Sequence, residues 1–197
     1  MAIDGSNFFH ACRKSFGRTD VNLGAFANFL VGPNRTLVRT YYYNCALPPD
    51  ADAGAREGQE RFFAALHRMP YFEVRLGRLA KQTVKCRHCG TEEPGYVEKG
   101  VDMRIGIDLL VGASRNLYDT AILVSGDGDL SEAVRAVKDL GKHVELGALP
   151  SGRSWELVRV ADVVRNIGLE DVAPLFLRQA AHPRRSSPSS TADSPLS

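Results

Sequence analysis

Short apolar runs alternate with helical apolar spacing along most of the chain. The first residues, Ala2, Ile3 and Asp4, read as the end of a short strand, and the FFHAC that follows runs into a helix rather than back along a hairpin. Residues 21–31 read as a helix with Asp20 as its cap. The segment TLVRTYYY, residues 36–43, is β-branched and aromatic, the composition of a strand. Residues 55–69 are helical in composition. FEVRLGRLA, residues 72–80, alternates apolar and polar positions as a strand does, and residues 101–113 return to helical spacing. Residues 120–125 form a buried strand. Leu130, Val134, Val137 and Leu140 then recur every three or four positions, with Gly141 placed as a C-terminal cap. A short strand at 143–146 and a helix at 155–160 close the pattern. Strands alternating with helices imply an α/β fold, a mostly parallel central sheet with helices on both faces.

Composition narrows this picture. A chain of 197 residues is long enough for one domain with a sizeable core, and 44% hydrophobic with 24% charged residues is ordinary for a globular protein. The net charge of +2 is too small to argue for nucleic acid by itself, so any basic surface is local. No apolar run approaches the ~20 residues that span a bilayer, so no membrane partner is expected. The N-terminus lacks the basic segment and apolar stretch of a signal peptide. The four cysteines, Cys12, Cys45, Cys86 and Cys89, make no dense disulfide framework. A cytoplasmic protein with reduced thiols is the expectation. From Ala181 the sequence AHPRRSSPSSTADSPLS is rich in serine and proline, with a single leucine. Such a segment buries too little to offset the entropy of ordering. Residues 1–180 are therefore read as one domain and residues 181–197 as a disordered tail.

Candidate chemistry gathers at LVSGDGDL, residues 123–130, where an apolar strand breaks into two glycines and two aspartates, Asp127 and Asp129. In open α/β sheets, sites form at the carboxyl ends of strands near a switch in strand order. The glycines allow unusual backbone angles and close approach of a ligand. Asp129 could simply cap the next helix, with Glu132 completing a capping box, but that leaves Asp127 unexplained. Asp4 stands at a second strand end, in AIDGSN. Asp102 falls in the first turn of the helix in EKGVDMRIGIDLL, a position the helix dipole favours on its own. Asp108 points roughly 120° away from Asp102 at ~100° per residue. It either orients something behind the site or lies at the surface. Four carboxylates opening toward one sheet edge would repel one another unless a cation sits among them. Hard cations such as Mg²⁺ and Mn²⁺ take oxygen ligands of this kind, and phosphodiester hydrolysis suits such a site.

IDGSN, EKGVDMRIGIDLL and LVSGDGDLSEAVRAVKDLGKHVEL, in this order, resemble the NYN domain, a LabA-like family of the PIN-like nuclease fold. The resemblance covers residues 2–167, and SWELVRVADVVRNI looks like the family's closing segment. It implies a three-layer PIN-like domain, a metal-dependent ribonuclease-like acidic site, and RNA as the substrate class. Carried over by position, Asp4, Asp102, Asp127 and Asp129 match the acidic cluster, as ligands of Mg²⁺ or Mn²⁺. Asn7 matches the polar residue after the first aspartate, and Ser125 the small hydroxyl before the turn. One departure is that only Met1 and Ala2 precede Ile3, so the first strand is short at its amino end.

Basic residues bear on the substrate. Arg13, Lys14 and Arg18 follow the first motif, Arg75, Arg78, Lys81, Lys85 and Arg87 cluster around CRHCG, and Lys99 lies close to Asp102. They are candidates for phosphate contact, against a plain solvated face. The tyrosines of TYYYN are better explained by a strand interior than by base stacking. In CRHCG, Cys86 and Cys89 form half of a zinc knuckle. Cys12, Cys45, His10, His67 and His88 complete it only if the fold brings them near. The half-site could instead close between two chains of a homodimer, act as a redox pair, or be two inert thiols.

These observations imply a metal-dependent endoribonuclease-like hydrolase with Asp4, Asn7, Asp102, Asp127 and Asp129 in the catalytic set and Ser125, Lys99, Arg13 and Lys14 toward substrate. The alternative is a non-catalytic RNA-binding or regulatory module of the same fold. A phosphatase working through an aspartyl-phosphate ranks lower, because Ser6 stands two residues after Asp4 where that chemistry wants an acid.

Overall fold

The computed structural model describes residues 1–85 and 92–177. Cys86, Cys89 and the tail expected at 181–197 lie outside the described residues. Seven strands form one sheet in the order β4-β3-β2-β1-β5-β6-β7. They are β1 (Ala2–Asp4), β2 (Thr40–Cys45), β3 (Phe72–Lys85), β4 (Glu92–Lys99), β5 (Thr120–Val124), β6 (His143–Ala148) and β7 (Val163–Asn166). All neighbours pair in parallel except β3 with β4, which run antiparallel from Arg78↔Lys99 to Lys85↔Glu92.

Because side chains alternate along a strand, neighbouring residues feed opposite cores. Ile3, Tyr42 and Val124 face one side, where α1 (Gly5–Phe16), α2 (Leu23–Val31) and α3 (Ala53–His67) supply Phe8, Phe26, Leu30 and Phe63. Ala2, Tyr43 and Leu123 face the other, against Ile105 and Leu109 of α4 (Val101–Ser114), Val134 and Val137 of α5 (Ser131–Asp139), and Leu157 of α6 (Trp155–Val160). The result is the expected three-layer α/β architecture. A last short helix, α7 (Leu169–Val172), adds Val172 to the first core. Among the described residues no helix is long and apolar enough to cross a membrane.

Several boundaries differ from the sequence expectation, each for a local reason. The cap of α2 is Asn22, whose side chain accepts from the Ala25 N–H at 3.0 Å, while Asp20 is taken up by Arg18. Residues 36–39 are not strand. Both neighbours of β2 begin in register with Thr40 and Tyr41, at Phe72 and Ala2, so the earlier residues have no ladder to join. The third strand continues past residue 80 because β4 pairs back on it. That partner was not visible in the sequence, since EEPGYVEK has no apolar–polar alternation. Proline is tolerated because β4 is an edge strand. The four-residue β7 was too short to read from its pattern.

Candidate functional site

The chain builds outward from β1 in one direction through β2, β3 and β4, then returns to the other side of β1 with β5. The strand order therefore reverses between β1 and β5, and a crevice opens there at the carboxyl ends. Both strand ends carry one of the sequence motifs.

Asp4 is the last residue of β1 and the N-cap of α1. Its Oδ1 accepts from the Asn7 N–H at 3.1 Å, and its Oδ2 accepts from the Ser125 hydroxyl at 2.9 Å. Those bonds favour the carboxylate, but the residue is only 5% exposed. Burial wins and pushes the Asp4 carboxyl up to about 6, with the charges of Asp102 and Glu98 adding to the effect.

The second turn is bolted to the first. Ser125 Oγ also accepts from the Asp127 N–H at 3.1 Å, and Asn7 Oδ1 accepts from the Gly126 N–H at 2.9 Å. A Cβ on Gly126 would lie 1.6 Å from the Gly152 carbonyl oxygen. That glycine thus admits a neighbouring loop of the chain itself, where the sequence suggested unusual backbone angles or a ligand. Asp127, not Asp129, is the local cap: its Oδ1 accepts from the Asp129 N–H at 3.0 Å and starts a 3₁₀ turn over Gly128–Leu130. No side chain caps α5, so the capping box of Asp129 and Glu132 is absent. The reason is that the 3₁₀ turn delays the helix to Ser131 and moves Asp129 out of the capping position.

Asp102 sits in the first turn of α4 as expected. Burial raises its proton affinity, and Asp127, Asp129 and Glu98 raise it further by repulsion. Asp127 also accepts a hydrogen bond available only to the protonated Asp102. Asp4, Glu98, Asp102 and Asp127 line one cleft of about 390 Å³ with Asn7, His10 and Lys14. Glu98, near the end of β4, was missed. Its signal was weak: an acid two residues before the Gly100 that opens α4, on a strand that was itself unread.

The remaining candidates fall elsewhere. Asp129 is exposed and does not line the cleft, though its charge reaches Asp102. Ser125 lies buried beneath it. Arg13 and Lys99 are exposed outside the lining. Two of the candidate phosphate contacts are engaged within the protein instead: Arg18 pairs with Asp20 at 2.6 Å, and Arg75 pairs with Glu73 and Asp108. Asp108 also accepts from the Tyr43 hydroxyl at 3.0 Å, so it serves the packing behind the sheet. Cys12 and Cys45 are buried in cores on opposite faces, and burial pushes the Cys12 thiol up to about 12.

Among the described residues no group of three His, Cys, Asp or Glu side chains is arranged to hold a metal ion. The lining acids are nonetheless all oxygen donors, and two of them hold protons more tightly than free carboxylates do.

An acidic crevice at the switch point of a mostly parallel sheet between two helical layers fits the PIN-like fold. Within it, the profile of the NYN domain matches residues 1–168, and the chain belongs to that family. It is 26% identical over 185 residues to the Low amplitude and bright protein LabA of Synechococcus elongatus, covering 92% of this chain and 88% of that protein. A crystal structure of a protein of unknown function from Vibrio parahaemolyticus shares the fold, with a TM-score of 0.56 and 24% identity. The match covers 84% of this chain and 90% of that one.

Proposed function

We propose that the chain hydrolyses RNA phosphodiester bonds with the help of Mg²⁺ or Mn²⁺. The observation that carries this reading is the convergence of Asp4, Glu98, Asp102 and Asp127 on one cleft, with Asp4 buried at its floor. Acids so placed repel one another, and a cation relieves that cost. Mg²⁺ keeps several of its waters and is commonly held by one or two carboxylates plus substrate phosphates. A spread set of acids, rather than a closed cage, suits it.

Asp4, Asp102 and Asp127 are the proposed holders, with Glu98 and Asp129 completing the negative field. The cation, when bound, would neutralise phosphate charge and sharpen the nucleophilicity of water. In the hydrolysis a water oxygen bonds to phosphorus as the bond to the leaving oxygen breaks. A carboxylate takes the water's proton, and the leaving oxygen regains one. Asn7 and Ser125 hold the two turns in register, and Lys14 supplies a cation toward phosphate, with Arg13 and Lys99 available to more distant phosphates.

A second reading, an RNA-binding module without turnover, is favoured by the lack of a three-residue metal cage among the described residues. The experiment that separates them uses purified chain on single-stranded and structured RNAs in Mn²⁺. Cleavage that stops with EDTA and in Asp127→Ala supports the hydrolase. Binding without cleavage in either metal supports the module.

A further inference from the structure

Beside the acidic cleft lies a second cavity of about 590 Å³, the size of a small-molecule site. Its character is different. Phe9, Tyr42, Phe62 and Leu47 line it, and Phe9 and Phe62 remain 42% and 38% exposed. Tyr42 and Phe62 meet edge to face at 5.5 Å between ring centroids, and Phe62 meets Phe63 tilted at 5.9 Å, so neither neighbour lies parallel on Phe62. The Asn44 amide, which donates to the Tyr42 hydroxyl at 3.4 Å, adds a polar edge to an otherwise apolar wall. Ser6, His10 and Glu98 line both this cavity and the cleft, so the two share a wall.

We infer that this aromatic cavity receives an unpaired nucleobase of single-stranded RNA, next to the phosphate held in the acidic cleft. This rests on the hydrolase reading above, or on its RNA-binding variant. The occupant follows from the juxtaposition. A ligand that spans both spaces needs an anion able to reach a cation-neutralised acidic cleft and, one short linkage away, a flat ring with a polar edge. A nucleotide has both. A purely apolar ligand would fill the rings but would gain nothing from the Glu98 and His10 at the shared wall. Duplex RNA keeps its bases stacked inside, so the cavity selects single strands. Stacking on aromatic side chains accepts any base, while a carboxylate such as Glu98 accepts from an exocyclic amine.

The test uses the full chain in Mn²⁺ with RNA hexamers in which one abasic position is walked along the strand. One abasic position beside the cut bond should raise KM on the order of tenfold, with kcat little changed. Phe62→Ala should raise KM similarly on intact RNA and add nothing on that abasic substrate, the signature of a shared contact. Ala55→Trp, a change at an exposed residue of the cavity wall, should do the same by filling the space, and serves if Phe62→Ala fails to fold. In a chain that binds without cleaving, the same cycle is read from Kd. Equal KM for all abasic substrates and both variants, with cleavage intact, would overturn the base pocket and leave the hydrolase standing. Absence of both binding and cleavage in the unaltered chain would overturn the two together.

Discussion

The Ser125 hydroxyl donates to Asp4 Oδ2 over 2.9 Å and joins strand ends that lie 121 residues apart in the chain. The same oxygen accepts from the Asp127 N–H, so one buried hydroxyl holds both acidic turns. Ser125→Ala removes a partner from each. Unpairing buried polar groups costs about 1–3 kcal/mol, and denaturant unfolding should show a loss in that range. The Ser125 bond favours ionised Asp4. Without it the acid holds its proton to higher pH, and the acid limb of any RNA cleavage profile should move upward.

Asp4 itself is expected to trade stability for function. Its carboxyl rises from 3.8 in the unfolded chain to about 6 in the fold. The folded state therefore binds the proton more tightly, and stability from this group is full below the unfolded value and lost as pH rises through about 6. At about 1.4 kcal/mol per unit, the ionised form costs the metal-free fold on the order of 3 kcal/mol. Asp4→Asn keeps an oxygen for the Asn7 N–H and can donate to Ser125. It should melt higher than the parent at pH 7, with the gap closing toward pH 4, and should lose metal-dependent cleavage. Thermal melts in EDTA across that range check the sign: a variant that melts lower at pH 7 would mean the carboxylate's bonds outweigh its burial.

Much of this was legible in the sequence. An apolar run that ends in Asp-Gly or Gly-Asp-Gly-Asp marks a strand end, and the alternation of strands with helices, read with the habit of open α/β sheets, put both at one edge of a mostly parallel sheet. What escaped was set by pairing between distant segments. Glu98 reaches the cleft only because β4 turns back along β3, and EEPGYVEK lacks the alternation that marks a strand. Arg75 read as a phosphate contact because nothing in the sequence shows Asp108 beside it. The exchange of capping roles between Asp127 and Asp129 depends on one 3₁₀ turn that apolar spacing does not encode.

That exchange separates the two aspartates experimentally. Asp127 lines the cleft and caps the turn, whereas Asp129 does neither. Asp127→Ala should lose activity and about 1 kcal/mol of stability, the usual worth of such a cap. Asp129→Ala should leave the melting temperature near that of the parent and weaken Mn²⁺ dependence modestly, through its charge near Asp102. Paired melts and cleavage assays on the two variants distinguish these outcomes from the reverse assignment.

Asp108 gives a contrasting case. It lies on α4 with Asp102 but is committed to Tyr43, which is 1% exposed, and to Arg75, whose guanidinium also stacks on Tyr41 at 4.0 Å. Asp108→Ala strands a buried hydroxyl and should cost about 1–3 kcal/mol. It should leave the KM and kcat of folded protein unchanged, which steady-state kinetics below the melting transition would show.

Glu98 is the acid that tests the site as a field rather than as a set of ligands. It is exposed, its side chain makes no hydrogen bond among the described residues, and it raises the proton affinity of both Asp4 and Asp102 by repulsion. Glu98→Gln keeps shape and removes one charge. Two consequences follow from the same electrostatics. The metal-free fold should be unchanged or slightly more stable at pH 7, since a repelling charge is gone. Mn²⁺ should bind several-fold more weakly, since the cation loses part of the field that draws it. A calorimetric Mn²⁺ titration beside a thermal melt reads both. Weaker binding together with lower stability would instead make Glu98 a structural residue, and unchanged binding would remove it from the acidic site.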